Sequence, residues 1–481
     1  MQRKFITNLF FLLLVNVIVK PFWIFGIDRV FQNRIGAEEY GFYYALFSFS
    51  VLLNIFLDMG ITNYNNRNIA QNGHMLQRYF SSIVVLKFLL GAVYLVVTFV
   101  AAFILDYDSR SINLLLLLCF NQFLLSFLLY LRSNVSGLQL FKKDSLLSVL
   151  DRISVILICG YFLWYATGIP FTVEMFAVAQ TVAYFISCVA ALIVLKGRIG
   201  SFKLKLNLPL LKLILKQSMP FALLVLLMSF YYRVDSVMIE RLLPDGSFQT
   251  GIYAQAYRLL DASTVIGFLF AGLLLPIFSR MISLKEDTTP LIKLSFNLII
   301  VPSLLLFLIC YFYGYEIMEI LYHENILASS SILVLLMGTF VAVASTYILG
   351  TFLTANGSMK QLNWIALIGL GINLVLNSIL IPIYGPIGAA VATLITQGFV
   401  ITSQIVVVKR LLGWKINWIY ISRFTGFVIL LVSSSYLFDQ VDNTWTIRAL
   451  MMIFVGLFLA LLLRIIQPRA IFKILKNKEQ Q

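Results

Sequence analysis

Once the charges assigned to connections and termini are set aside, six remain inside the apolar spans, and their types set the chemistry open to this chain: Lys20, Lys87, Arg233, Arg258, Asp58 and Asp261. A charge at the centre of a membrane helix costs about 2.5–3.5 kcal/mol on insertion scales. Each of the six must therefore face protein, water or a ligand. Four cations against two acids leave an excess of positive charge, which suits an anionic ligand. Arg offers a planar fork for bidentate phosphate contact, whereas Lys acts as a point charge. The four cations are the candidate substrate-binding residues, and Asp58 and Asp261 are candidates for coupling to H+ or Na+. No catalytic residue is expected.

Each charge also has a plainer reading. Arg258 and Asp261 stand three residues apart and share a helix face, so they can satisfy one another. Arg233 lies near the outer end of its helix and can snorkel to the headgroups. Asp58, at the cytoplasmic end of its span, can serve as a helix-end cap. Lys20 precedes Pro21, where a broken helix exposes backbone groups to a cavity. Lys87 lies eight residues into its span with no acid within four positions. Lacking a local partner, Lys20 and Lys87 are the stronger candidates for ligand contact.

The elements that carry these charges follow from composition. The 481 residues are 60% hydrophobic and 12% charged, with mean hydropathy +0.93. Soluble domains carry about 25% charged residues, so the chain reads as an all-α, polytopic membrane protein. A span needs about 20 apolar residues. Such runs occur fourteen times, near 5–26, 40–60, 79–104, 112–131, 146–166, 172–195, 212–234, 251–276, 291–312, 328–353, 361–381, 385–407, 418–437 and 445–466. Fourteen spans put both termini on one side. Of 36 basic residues, 27 fall on the side of the termini and even connections and 5 on the other, while the acids divide 5 to 14. That bias makes both termini cytoplasmic. It also explains the net charge of +15 through contact with anionic membrane lipids, so no nucleic-acid partner is expected.

Other features close off further classes. Cys119, Cys159, Cys188 and Cys310 lie in apolar runs without a C-x-x-C pair, and His74 and His323 are isolated, so neither a metal nor a cofactor is expected. The run from Phe5 to Phe25 is too long for a signal peptide and lacks a small-x-small cleavage site, so it reads as a retained first helix. Connections are too short to hold a globular catalytic domain. The longest cytoplasmic one, Lys196 to Gln217, carries six basic residues and no acid, and is the natural linker between two halves. An internal echo supports two halves. Asp28, Arg34 and Gly41-Phe42-Tyr43 precede or open the second span, and Asp235, Arg241 and Gly251-Ile252-Tyr253 do so for the eighth. On this reading Gly41 and Gly251 open their helices, and Asp28 and Asp235 lie in connections. Transporters are commonly built from such repeats.

Several stretches resemble a known family. Asn373-Leu-Val-Leu-Asn377 followed by Leu380-Ile-Pro-Ile-Tyr-Gly385-Pro-Ile-Gly388-Ala-Ala-Val-Ala-Thr393 resembles the C-terminal signature of polysaccharide flippases of the O-antigen type. These belong to the multidrug/oligosaccharidyl-lipid/polysaccharide exporter superfamily. Glu39-Tyr40-Gly41, Leu57-Asp58-Met59-Gly60, Arg233-Val234-Asp235 and Gly251 to Arg258 are similar to that family as well. The resemblance implies two six-helix bundles, 1–200 and 201–410, around a central cavity. Residues 411–481 then hold two additional helices and a basic tail. It further implies flipping of an undecaprenyl-pyrophosphate-linked oligosaccharide from the inner to the outer leaflet of the bacterial cytoplasmic membrane, with Lys20, Lys87, Arg233 and Arg258 in a cation-lined cavity. The implied partners are that lipid-linked oligosaccharide and the glycan polymerase machinery. Two rival readings stand beside it. A cation-coupled multidrug exporter of the same fold would favour acids over cations in its cavity. A membrane-embedded polysaccharide polymerase would carry a sizeable external loop.

Overall fold

Lipid offers a backbone no hydrogen bonds, so a spanning segment must satisfy its own, and the apolar runs of this chain do so as helices. The computed structural model describes residues 18–19, 21–62, 65, 69, 75–138, 140–166, 168–199, 208–414 and 418–466, and every regular element among them is helical. Lys20 and most of the predicted first span, 5–26, lie outside the described residues. Twelve described helices are long and apolar enough to cross a membrane, which makes this a multi-pass membrane protein.

The chain forms two compact units, Met1–Ala254 and Gln255–Gln481. In the first, a π-helical turn, Phe22–Asp28, runs into α1 (Arg29–Ile35) and then α2 (Ala37–Leu52). Next come α3 (Ile55–Asp58), α4 (Met75–Ile104), α5 (Ser109–Gly137), α6 (Phe141–Gly160), α7 (Val173–Leu195) and α8 (Leu208–Leu242). Asp108 starts α5 by accepting a hydrogen bond from the Ser111 amide at 3.0 Å. Helix α7 packs on α5 and α6, and α8 packs on α2. Helix α8 thus packs within the first unit, which runs to Ala254.

Helix α9 (Gly246–Ser283) begins in the first unit and continues in the second. The second unit continues with α10 (Thr289–Leu321), α11 (Ile326–Ala355), α12 (Met359–Tyr384), α13 (Pro386–Leu412), α14 (Trp418–Asp439) and α15 (Trp445–Leu462). Leu305, Phe427, Leu431 and Met452 knit α10, α14 and α15 into one core. The α12–α13 boundary follows the sequence: Gly385 takes φ 60° and Pro386 opens α13, where its missing N–H costs nothing.

Two expectations about element boundaries are corrected. The run 40–60 is not one helix: α2 ends at Leu52, α3 lasts four residues, and Met59 (φ 45°) and Gly60 (φ 80°) then take left-handed backbone. Nor do the G-x-Y motifs open helices. Gly41 lies inside α2, which starts after Gly36 (φ 85°), and Gly251 lies inside α9. Their glycines serve helix packing, described next.

Candidate functional site: charges inside the helices

The break after α2 builds the first charged cluster. Because α3 ends at Asp58, the Leu57 carbonyl is not absorbed into a continuing helix. Lys87 of α4 is buried and donates to that carbonyl at 3.1 Å, to Ser126 Oγ of α5 at 3.0 Å, and to Asp58 Oδ1. An ammonium has three donors, and all three are used. Asp58 accepts in addition from the Thr62 amide at 3.3 Å and from the Thr62 hydroxyl. Lys87 has no acid nearby in sequence, and the fold supplies one from afar. Its partner lies 29 positions back in the chain, outside any helical window.

Arg233 of α8 contacts α2. Its Nη1 donates to Tyr44 Oη at 2.9 Å, and its guanidinium lies 5.9 Å from the Phe47 ring centroid. It is half-buried beside these two aromatic rings.

Asp28 and Asp235 do not lie in connections. Asp28 ends the π-helical turn and Asp235 sits within α8, each only 1% exposed. Tyr40 Oη donates to Asp28 at 2.7 Å and Tyr253 Oη to Asp235 at 3.0 Å. Among the described residues the buried charges are therefore Lys87 and three acids, Asp28, Asp151 and Asp235. The excess of interior cations inferred from sequence shrinks accordingly. The connecting arginines of the echo are anchored too. Arg34 donates to the Phe162 and Leu163 carbonyls at 3.1 and 3.3 Å, and Arg241 stacks over the Tyr107 ring at 3.6 Å.

Sequence reading also missed a backbone crossing. A Cβ on Gly41 would sit 1.8 Å from the Ser247 carbonyl oxygen and 2.5 Å from the Gly251 nitrogen. One on Gly251 would sit 1.9 Å from the Ala37 carbonyl oxygen. Only glycine permits that approach, and Gln32 Nε2 seals it by donating to the Gly251 carbonyl at 3.0 Å. Tyr40, Tyr43 and Tyr44, on the same stretch of α2, are all fully buried, and Tyr43 Oη accepts from Gln180 Nε2 at 3.0 Å.

In the second unit, Arg258 Nη1 stands 3.7 Å from Asp261 Oδ2, an ion pair longer than a hydrogen bond, with side chains 11% and 25% exposed. The sequence's local-pair reading of these two thus has a geometric counterpart. Elsewhere in this unit, Asn377 Nδ2 donates to Asn373 Oδ1 at 3.1 Å on α12, and Thr393 and Gln397 of α13 are buried. No group of three or more His, Cys, Asp or Glu able to hold a metal occurs among the described residues.

A family profile described as "Polysaccharide biosynthesis protein" matches residues 5–282. No curated protein sequence matches the chain. A solved structure of the lipid II flippase MurJ, in an inward closed conformation, aligns with TM-score 0.70 at 16% identity, over 96% of this chain and 97% of that one. The Vibrio cholerae MATE transporter VcmN aligns with TM-score 0.60 at 14% identity, over 84% and 95%. A MOP superfamily transporter from Pyrococcus furiosus, whose binding pocket is described as reversed in polarity, aligns with TM-score 0.56 at 16% identity, over 83% and 93%. At these identities the likeness establishes a common fold.

Proposed function

The chain belongs to the polysaccharide biosynthesis protein family, and on that footing we propose that it flips an undecaprenyl-pyrophosphate-linked oligosaccharide from the inner to the outer leaflet of the bacterial cytoplasmic membrane. The observation that carries this reading is the end-to-end likeness to a lipid II flippase, joined to arginines inside the spans. A pyrophosphate headgroup is anionic and strongly hydrated, while its lipid tail can remain in the bilayer. Only the headgroup needs a polar path, and alternating access between two states biased by substrate supplies it without chemistry.

Arg233 and Arg258 are assigned to the headgroup. Arg233 donates to Tyr44 Oη, and Arg258 stands beside Asp261; each offers the planar fork that suits bidentate contact with a phosphate. Lys87, with every donor engaged, is not assigned to it. Asp261, beside Arg258, is the proposed acceptor of a coupling ion. Both termini face the cytoplasm in this reading, and glycan polymerase machinery receives the product.

The test is surface glycan display in a flippase-null strain complemented with Arg233→Ala or Arg258→Ala, with membrane abundance matched by immunoblot. Loss of display in both is expected. Normal display by both variants would remove the headgroup assignment. The buried acids Asp28 and Asp235 favour a second reading, a cation-coupled exporter of the same fold. Under that reading Asp28→Asn would sensitise cells to cationic drugs while leaving glycan display unchanged.

A further inference from the structure

The Lys87 cluster has the composition of an ion site. A carboxylate, a backbone carbonyl at a helix break and a hydroxyl converge on one positive centre: Asp58 Oδ1, Leu57 O and Ser126 Oγ around Lys87 Nζ. All three donors of electron density are oxygens, the set that hard cations take. The site is made by chain geometry rather than by Lys87 itself. The break at Leu53–Asn54 and the left-handed Met59 and Gly60 end α3 after one turn, and a helix C-terminus carries negative partial charge. Ser126 Oγ also reaches the Leu57 carbonyl, at 3.2 Å, so the oxygens are mutually held. In membrane transporters, half-helix C-terminal ends and unwound carbonyls are where small cations bind.

We propose that Leu57 O, Asp58 Oδ1 and Ser126 Oγ form a monovalent-cation site whose resident cation is the Lys87 ammonium. A tethered cation cannot leave, so the first unit keeps this site filled without drawing on Na+ or K+ from solution. Asp58 keeps 27% of its side chain exposed, which gives a free ion a route in once the tether is cut. The inference is independent of what the protein transports.

An ordinary ion pair and a tethered-cation site differ in one respect: only the latter accepts a replacement ion. Full-length wild type and Lys87→Ala, purified in detergent, are melted in NaCl, NH4Cl or choline chloride at constant ionic strength. The Tm of Lys87→Ala should rise with Na+ or NH4+ by about 2 °C for each tenfold increase above the Kd. Wild type should not respond, and choline should have no effect. Adding Asp58→Asn to Lys87→Ala should abolish the response. A folded Lys87→Ala indifferent to all three salts overturns the proposal. Should Lys87→Ala not accumulate, Asp58→Asn/Lys87→Met, which carries no charge to balance, should accumulate, and solubilising Lys87→Ala membranes in NaCl or NH4Cl should recover folded protein. Failure of both salts to do so overturns it equally.

Discussion

A methyl group at Gly41 or Gly251 tests the helix crossing directly. Ordinary contact for a Cβ begins at 3.4 Å, but the Gly41 Cβ would lie 1.8 Å from Ser247 O, so the two backbones must part by roughly 1.5 Å. Neither side can yield locally, because the obstructing atoms are main chain within helices. Overpacking of this kind costs about 1–3 kcal/mol. The Gln32 amide, now 3.0 Å from the Gly251 carbonyl, would be drawn past hydrogen-bonding distance, adding about 1 kcal/mol. Each of Gly41→Ala and Gly251→Ala should thus destabilise by about 2–4 kcal/mol. The pair should cost less than the sum, since parting the helices once relieves both clashes. Gly272→Ala and Gly371→Ala are the controls. Nothing lies within 4 Å of a Cβ at either, so helix propensity alone should make them neutral or stabilising by up to about 1 kcal/mol. Thermal melts of the four purified variants in one detergent decide the matter. If Gly41→Ala melts within a degree of wild type, or no lower than the controls, the crossing is not as close as described.

Two smaller expectations follow from exposed groups. Asp108 caps α5 through Ser111, and those hydrogen bonds hold its carboxyl below the usual carboxylate range. Its folded pKa being depressed, the cap contributes in full above about pH 4 and is lost as pH falls through the lower folded value. Asp108→Ala should therefore cost about 1 kcal/mol at pH 7, and the gap to wild type should narrow in acid melts; Asp108→Asn should cost less, since Asn also caps. Arg110 makes a two-pronged pair with Glu39 at 2.6 and 3.0 Å and lies 4.7 Å from the Phe42 ring centroid, yet its side chain is 51% exposed. Arg110→Ala should lower stability by no more than about 1 kcal/mol, and high salt should shrink the difference further. A drop of many degrees in Tm, unmoved by salt, would contradict that account.

Hydropathy carried the fold because lipid imposes it span by span. The runs from 79 onward each became a helix, several of them extending well past the run, as Gly246–Ser283 does past 251–276, and Gly385 with Pro386 marked a boundary through their own backbone chemistry. The break inside 40–60 escaped notice because hydropathy counts side chains and is blind to φ; Met59 is an unremarkable apolar residue that happens to be left-handed. The charges were harder for a different reason. Arg258 and Asp261 pair within one helix, so spacing revealed them. Lys87 with Asp58 and Arg233 with Tyr44 are contacts between helices distant in sequence, to which no local window has access. Asp28 and Asp235 were misplaced because each stands near a span end, where one turn decides between water and interior. Their tyrosine partners, twelve and eighteen residues on, were the signal available.

The echo that suggested two halves has a physical meaning different from the one its position implied. Gly41 and Gly251, which the echo paired by position, meet each other: each removes a side chain where the other's helix passes. Such a contact needs a glycine on both helices, because a Cβ on either closes it. The tyrosines two positions on are under no such reciprocity. Tyr43 Oη accepts from Gln180 Nε2, and Tyr253 Oη donates to Asp235 Oδ2. This is also why the first residues of α9, up to Ala254, belong with the N-terminal unit although the helix runs on into the other. The glycine contact and the Gln32 amide, which donates to the Gly251 carbonyl, hold them there.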